Sequence, residues 1–188
     1  MHSRSSLGLA IAGIMLGSCQ SNSYQITGFA REFQDGDTIC IAADGPDAPI
    51  LAQTIVESGK FLFSGETDIV SLCCAYMKQE PDCRVEFFLE PGHITIEMQR
   101  LPTPSRVSGT VFNNEWQLLA DSIELLEEYV VKILRTKPSD SATQQRNAHA
   151  IDSLHRRMSD CIKNTAHRNR YNALGKYIKH NYKEPEFK

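Results

Sequence analysis

Cysteine is the residue type whose number and placement come closest to chemistry in this chain. There are six: Cys19, Cys40, Cys73, Cys74, Cys83 and Cys161. No Cys-x-x-Cys occurs, so the spacing that lowers a thiol pKa in redox motifs is missing. Apart from Cys19, five remain, an odd number that cannot pair completely. Cys40, Cys73 and Cys74 sit in apolar runs, where cysteine packs as a small core residue. Adjacent Cys73 and Cys74 must point to opposite faces of a strand. A Cys74–Cys83 bridge across a hairpin loop is one alternative, and free thiols at Cys83 and Cys161 are another. His93, His149, His155, His167 and His180 show no metal-ligand spacing. Ser58, Ser64 and Ser108 lie near glycines but outside Gly-x-Ser-x-Gly. Gly28, Gly65 and Gly109 are too dispersed for a phosphate loop. Glu86, Glu90 and Glu97 could work as paired carboxylates, yet strand alternation reads them as outward-facing residues. No catalytic, metal or cofactor residue is expected, and the chain reads as non-enzymatic.

The N-terminus carries an address. His2 and Arg4 precede an apolar run, Leu7 to Leu16, which is too short to span a bilayer and has the length of a signal-peptide core. Leu16-Gly17-Ser18-Cys19 follows. It resembles the bacterial lipoprotein signal, in which small residues let the peptidase draw in an extended backbone and the thiol takes diacylglycerol. The resemblance implies a signal peptide over 1–18, lipidation of Cys19, and a tether over 19–23. More than one acyl chain makes such anchoring stable. Gln20, with no Asp in its place, resembles the pattern that sorts to the outer membrane. The expected location is the cell envelope, lipid-anchored, on the periplasmic side of the outer membrane. Net charge is −3 over 188 residues, which gives no global attraction to nucleic acid.

The elements that position these residues fall into two regions. From 24 to 110 the chain falls into short strand-like runs: Tyr24–Phe29, Thr38–Ala42, Ile50–Val56, Phe61–Gly65, Ile69–Met77, Val85–Leu89, Ile94–Met98 and Arg106–Thr110. Ile69–Met77 is largely apolar, as a central strand buried on both faces would be. Asp35-Gly36-Asp37 is a hairpin signal. Glu90-Pro91-Gly92 has type II turn chemistry and predicts that Val85–Leu89 and Ile94–Met98 form the organising hairpin. This spacing predicts an antiparallel β-sandwich. From 111 to 188 the period changes. Trp116, Leu119, Ile123, Leu126, Val130 and Ile133 make one helical seam, capped at Asn113 or Asn114. Ser141-Ala142-Thr143-Gln144 fits a capping box for a second helix with the seam Ile151, Leu154, Met158, Cys161 or Ile162, and Thr165. The short link predicts an antiparallel helical hairpin, acidic on the first helix and basic on the second. A short helix or turn begins at Asn172, and a polar tail ends the chain.

Several motifs line up along this plan. They are Tyr24-x-Ile26-x-Gly28, Gly59-Lys60-Phe61-x-Phe63-x-Gly65, Phe88-Leu89-Glu90-Pro91-Gly92-x-Ile94, Gly109-Thr110-x-x-Asn113 and Asn172-x-x-Gly175. Together with the lipobox, the chain resembles the domain of unknown function that precedes a thioredoxin-like domain in many Gram-negative lipoproteins related to TlpA- and ResA-type thiol:disulfide oxidoreductases. In those relatives the helices lead into a strand and a Trp-Cys-x-x-Cys site. Neither occurs within these 188 residues, so no redox residue carries over from the resemblance.

Two functions are expected from different classes. One is a lipid-anchored binding or interaction module that meets an envelope protein or polymer. The other is a thiol-active accessory protein that works with a separate thioredoxin-like oxidoreductase through Cys83 or Cys161.

Overall fold

A computed structural model describes residues 22–43 and 47–182. The lipobox, Cys19 and the expected signal peptide lie outside the described residues. Alternation with a period of two becomes eight strands: β1 (Ser23–Phe29), β2 (Thr38–Ala42), β3 (Ile50–Ile55), β4 (Lys60–Glu66), β5 (Ser71–Met77), β6 (Arg84–Leu89), β7 (Gly92–Glu97) and β8 (Arg106–Ser108). The longer period becomes three helices: α1 (Val111–Arg135), α2 (Ser141–Arg168) and α3 (Ala173–Asn181). The strands form two four-stranded sheets, ordered β4-β1-β7-β8 and β3-β2-β5-β6. Inward side chains of both sheets, among them Ile26, Phe61, Ile94 and Ile96 from the first and Ile39, Ile41, Ala75 and Phe87 from the second, share one core. β5 lies between β2 and β6 and is buried on both faces over Cys73–Met77, as its unbroken apolar run requires.

The expected hairpin at Glu90-Pro91-Gly92 is not one. β6 and β7 belong to different sheets, and the chain passes from one layer to the other at this corner. Gly92 does take the positive φ that the turn chemistry demands, at 122°. Alternation marks which face of a strand is apolar but not which strand lies beside it. Here the apolar faces of β6 and β7 look at each other across the core. β7 instead pairs with β1, in parallel, Tyr24 opposite Gly92 through Phe29 opposite Glu97. The pairing is therefore mostly rather than wholly antiparallel. Asp35-Gly36-Asp37 also links strands of different sheets. Its carboxylates act locally, Asp37 accepting from the Gln34 N–H at 2.9 Å and Asp35 from the Ser58 N–H at 2.7 Å. Ile69 precedes β5 and is exposed rather than part of the strand.

The glycines of the recurring motifs have a packing role. In the β1–β4 ladder Gly28 stands opposite Phe61, and Tyr24 stands opposite Gly65. Each aromatic ring lies over the glycine across from it, so that a Cβ on Gly28 would enter the Phe61 ring and one on Gly65 would come 2.7 Å from Tyr24 Oη. Cross-strand pairs of this kind fix strand register.

The helix caps differ from expectation by a few residues. α1 is capped at Thr110, because Asn113 and Asn114 are drawn into other bonds. α2 is capped one residue earlier than the capping box suggests, by Asp140, whose carboxylate accepts the Thr143 N–H at 2.7 Å. Asn172 caps α3 through the Gly175 N–H at 3.1 Å. α1 and α2 pack together, and Arg168 at the end of α2 reaches Glu115 at the start of α1 at 3.3 Å. Part of the acid on α1 turns elsewhere, since Arg106 of β8 pairs with Asp121 and Glu124. No helix among the described residues is long and apolar enough to cross a membrane.

Candidate functional site

Each sheet ends in two edge strands, and the two sides of the molecule treat them differently. On one side lie β6 and β8. A strand edge presents unpaired N–H and C=O groups that invite association unless something covers them. Helix α1 covers both edges with side chains that imitate a neighbouring strand. The fully buried Asn113 amide accepts from the Phe88 N–H at 2.8 Å and donates to the Phe88 carbonyl at 2.8 Å. Its remaining N–H goes to Thr110 Oγ1 at 2.7 Å. Trp116 Nε1–H donates to the Glu86 carbonyl at 3.2 Å. Across the gap, Gln117 accepts the Val107 N–H of β8 at 2.7 Å. Phe88 then packs edge-on against Phe112, Trp116 and Tyr177, which ties α1 and α3 to β6.

On the other side lie β3 and β4, which have one strand neighbour each among the described residues. β3 reads Ile-Leu-Ala-Gln-Thr-Ile and contains no charge and no proline. Ile50, Leu51 and Ile55 of β3 and Leu62 of β4 are exposed. Among the described residues no helix covers β3 and no lysine or proline stands within it; the one irregularity is a register shift against β2 at Ile41/Ala42, at the strand's start.

The three glutamates considered as paired carboxylates separate. Glu90 is not outward-facing: it is buried and accepts the Phe112 N–H of the first turn of α1 at 2.9 Å, satisfying a helix N–H that has no partner within the helix. Glu86 is exposed and receives the Tyr177 hydroxyl at 3.4 Å. Glu97 is exposed at the end of β7. Alternation could not single out Glu90, because its partner comes from a helical residue 22 positions further along.

The cysteines fall into two environments. None of the five that are described forms a disulfide. As adjacency requires, Cys73 joins the main core while Cys74 turns to the other face, into a small cluster with Cys40, Ala42 and Tyr76. Cys83 belongs to the main core, so Cys74 and Cys83 are in separate clusters and form no bridge. Burial pushes the Cys74 thiol up to about 11, with Arg84 opposing and Glu86 adding. Burial also raises Cys83, and its bond to Glu80 at 3.6 Å adds to the effect. Cys161 is half-buried on α2.

The remaining candidates do not converge. His93 bonds Thr27 Oγ1 at 2.8 Å on the outer face of the first sheet. His149, His155, His167 and His180 are exposed along α2 and α3. Among the described residues no cluster of histidine, cysteine and carboxylate could hold a metal. Ser58 occupies a turn at φ 52°, and Ser64 and Ser108 are exposed on strands.

The geometry defines a two-sheet β domain with one side sealed by a helix and the other side open. Residues 24–116 match the family model described as Domain of unknown function (DUF4369). The match begins in β1 and stops at Trp116, the residue whose indole seals β6. No curated protein matches the chain.

Proposed function

We propose that this chain is a lipid-anchored envelope protein acting as a non-enzymatic interaction module. In this reading a mostly antiparallel β-sandwich is followed by an antiparallel helical hairpin, and Cys19 carries the anchor that holds both at the outer membrane on its periplasmic side. The observation that supports it is the uncharged open edge of β3, whose own Ile50, Leu51 and Ile55 are exposed. Main-chain groups along such an edge can receive an extended segment as an added strand, and apolar side chains then supply affinity. The occupant that fits is an extended segment of an envelope protein with alternating apolar residues.

Placing a photo-crosslinking residue at Gln53 tests this in living cells. The expected product is a crosslink to another polypeptide that disappears with Leu51→Lys and Ile55→Lys and persists with Leu134→Lys on α1. A crosslinking pattern indifferent to the two edge lysines would refute the reading. So would turnover of disulfides or envelope substrates by the purified chain. The thiol-accessory alternative gains nothing from Cys83, because a buried thiol with a raised pKa is a poor source of thiolate.

A further inference from the structure

We infer that one pole of the molecule, the end from which β1 starts, rests against the lipid surface through Ile69, Val111 and Tyr171. The inference rests on lipidation of Cys19 as proposed above. Three residues separate Cys19 from Ser23, where β1 begins. Even fully extended, the chain between them reaches about 14 Å, at roughly 3.5 Å per residue. An acylated Cys19 therefore keeps the start of β1 close to the bilayer.

The strand pairings show what else lies at that end. Ser23 stands opposite Glu66, and the Thr67 N–H donates to the Asn22 carbonyl, which brings the 66–70 loop alongside. Tyr24 stands opposite Gly92, so the Glu90–Gly92 corner is there too. Glu90 accepts the Phe112 N–H, which places the first turn of α1 beside that corner. Arg168 meets Glu115, just beyond that turn. Tyr171 follows Arg168 by three residues, through a turn in which the Asn172 N–H donates to the Asn169 carbonyl, and so stays at the same pole.

Of the large apolar side chains among the described residues, the three most exposed are Tyr171 at 84%, Ile69 at 72% and Val111 at 71%. All three belong to the pole that the tether brings to the membrane. Arg170 lies over the Tyr171 ring at 4.5 Å, the pairing of an aromatic body with a cation that suits a headgroup layer. Glu66 and Asp68 outnumber Arg170 at this end, so the surface is weakly acidic rather than basic and fits zwitterionic phosphatidylethanolamine better than anionic lipid. Leu101, beyond the far end of β7, and Leu134, near the far end of α1, are each 68% exposed and lie away from the tether.

The test uses the full lipidated chain in phosphatidylethanolamine–phosphatidylglycerol vesicles whose acyl chains carry bromine, which quenches indole emission on contact. Ile69→Trp and Tyr171→Trp are compared with Leu101→Trp and Leu134→Trp. Trp116 gives the same background in every variant. Side chains that enter the boundary between headgroups and acyl chains should lose roughly half of their added emission, while the two distal positions keep theirs. Equal quenching at both ends, or none at either, overturns the inference. Intact-mass measurement separates this from failure of the underlying proposal. Diacylglycerol on Cys19 without asymmetric quenching sinks the orientation alone, and a chain without diacylglycerol sinks both.

Discussion

Replacing Gly28 by alanine tests the interlocked β1–β4 ladder most sharply. The new methyl would occupy space held by the Phe61 ring. That ring is fully buried and packs edge-on against Phe63 at 6.0 Å between centroids. β1 is pinned between β4 and β7, so the backbone has little freedom to retreat. The ring must therefore leave its rotamer or the ladder must part. Overpacking a well-filled core costs typically about 1–3 kcal/mol, and losing the burial of a phenylalanine costs about 3–5 kcal/mol. Alanine also narrows the unfolded ensemble, which returns up to about 1 kcal/mol. A net loss of about 3 kcal/mol is expected for Gly28→Ala. Gly65→Ala provides the comparison. Its Cβ would meet the outer end of Tyr24, a half-buried ring that can swing toward solvent, so the loss should be about 1 kcal/mol. Urea unfolding followed by Trp116 emission measures both. Gly28→Ala combined with Phe61→Leu should recover at least about 1 kcal/mol relative to additivity, since the smaller side chain frees the contested space. Equal losses at the two glycines, or strict additivity in the double variant, would refute the argument.

Asn113→Leu should cost about 2–4 kcal/mol, because it strands both the N–H and the carbonyl of Phe88 in a buried setting where each unsatisfied group costs about 1–3 kcal/mol. Asn113→Asp keeps the acceptor and loses the donor, and its unfolding midpoint should likewise fall below that of the parent chain. Cys74, held up to about 11, should resist alkylation at pH 8 in the native protein and react once urea exposes it, a difference read by mass after timed quenching. Rapid native labelling at Cys74 would contradict its burial. The same shift has a sign for stability. The folded chain holds the proton more tightly than the unfolded chain, so the contribution of Cys74 is complete below the unfolded thiol pKa and is lost as pH rises through about 11. Cys83, Tyr76, Tyr177 and Tyr182 are all shifted upward and act in the same direction. Denaturant midpoints should thus fall on the alkaline side, and a midpoint that climbed from pH 9 to 11 would contradict these environments.

Local order was legible in the sequence because it depends on neighbours a few residues apart. Most strands follow from alternation and β5 from its unbroken apolar run, the α1 seam from its spacing of three and four, and the opposed Cys73 and Cys74 from adjacency alone. The opposite charges of α1 and α2 were legible too, although Arg106 of β8 draws Asp121 and Glu124 away from α2. What stood beside what was decided only in three dimensions. Glu90-Pro91-Gly92 reverses the chain equally well within a sheet or between two sheets. β1 and β7, more than sixty residues apart, settle the matter by pairing in parallel. Glu90 looked like a surface carboxylate until the first turn of α1 arrived with an N–H to satisfy. Asn113 looked like a helix cap until β6 offered an edge to cover. The open edge of β3 has the same origin. Ile-Leu-Ala-Gln-Thr-Ile reads as a strand in one dimension, and only its place at the end of a sheet leaves one of its edges without a strand partner among the described residues. Sequence fixes which groups require partners, because that depends on the chemistry of each residue. Tertiary structure decides which groups find them, because partners distant in sequence meet only when the sheets close.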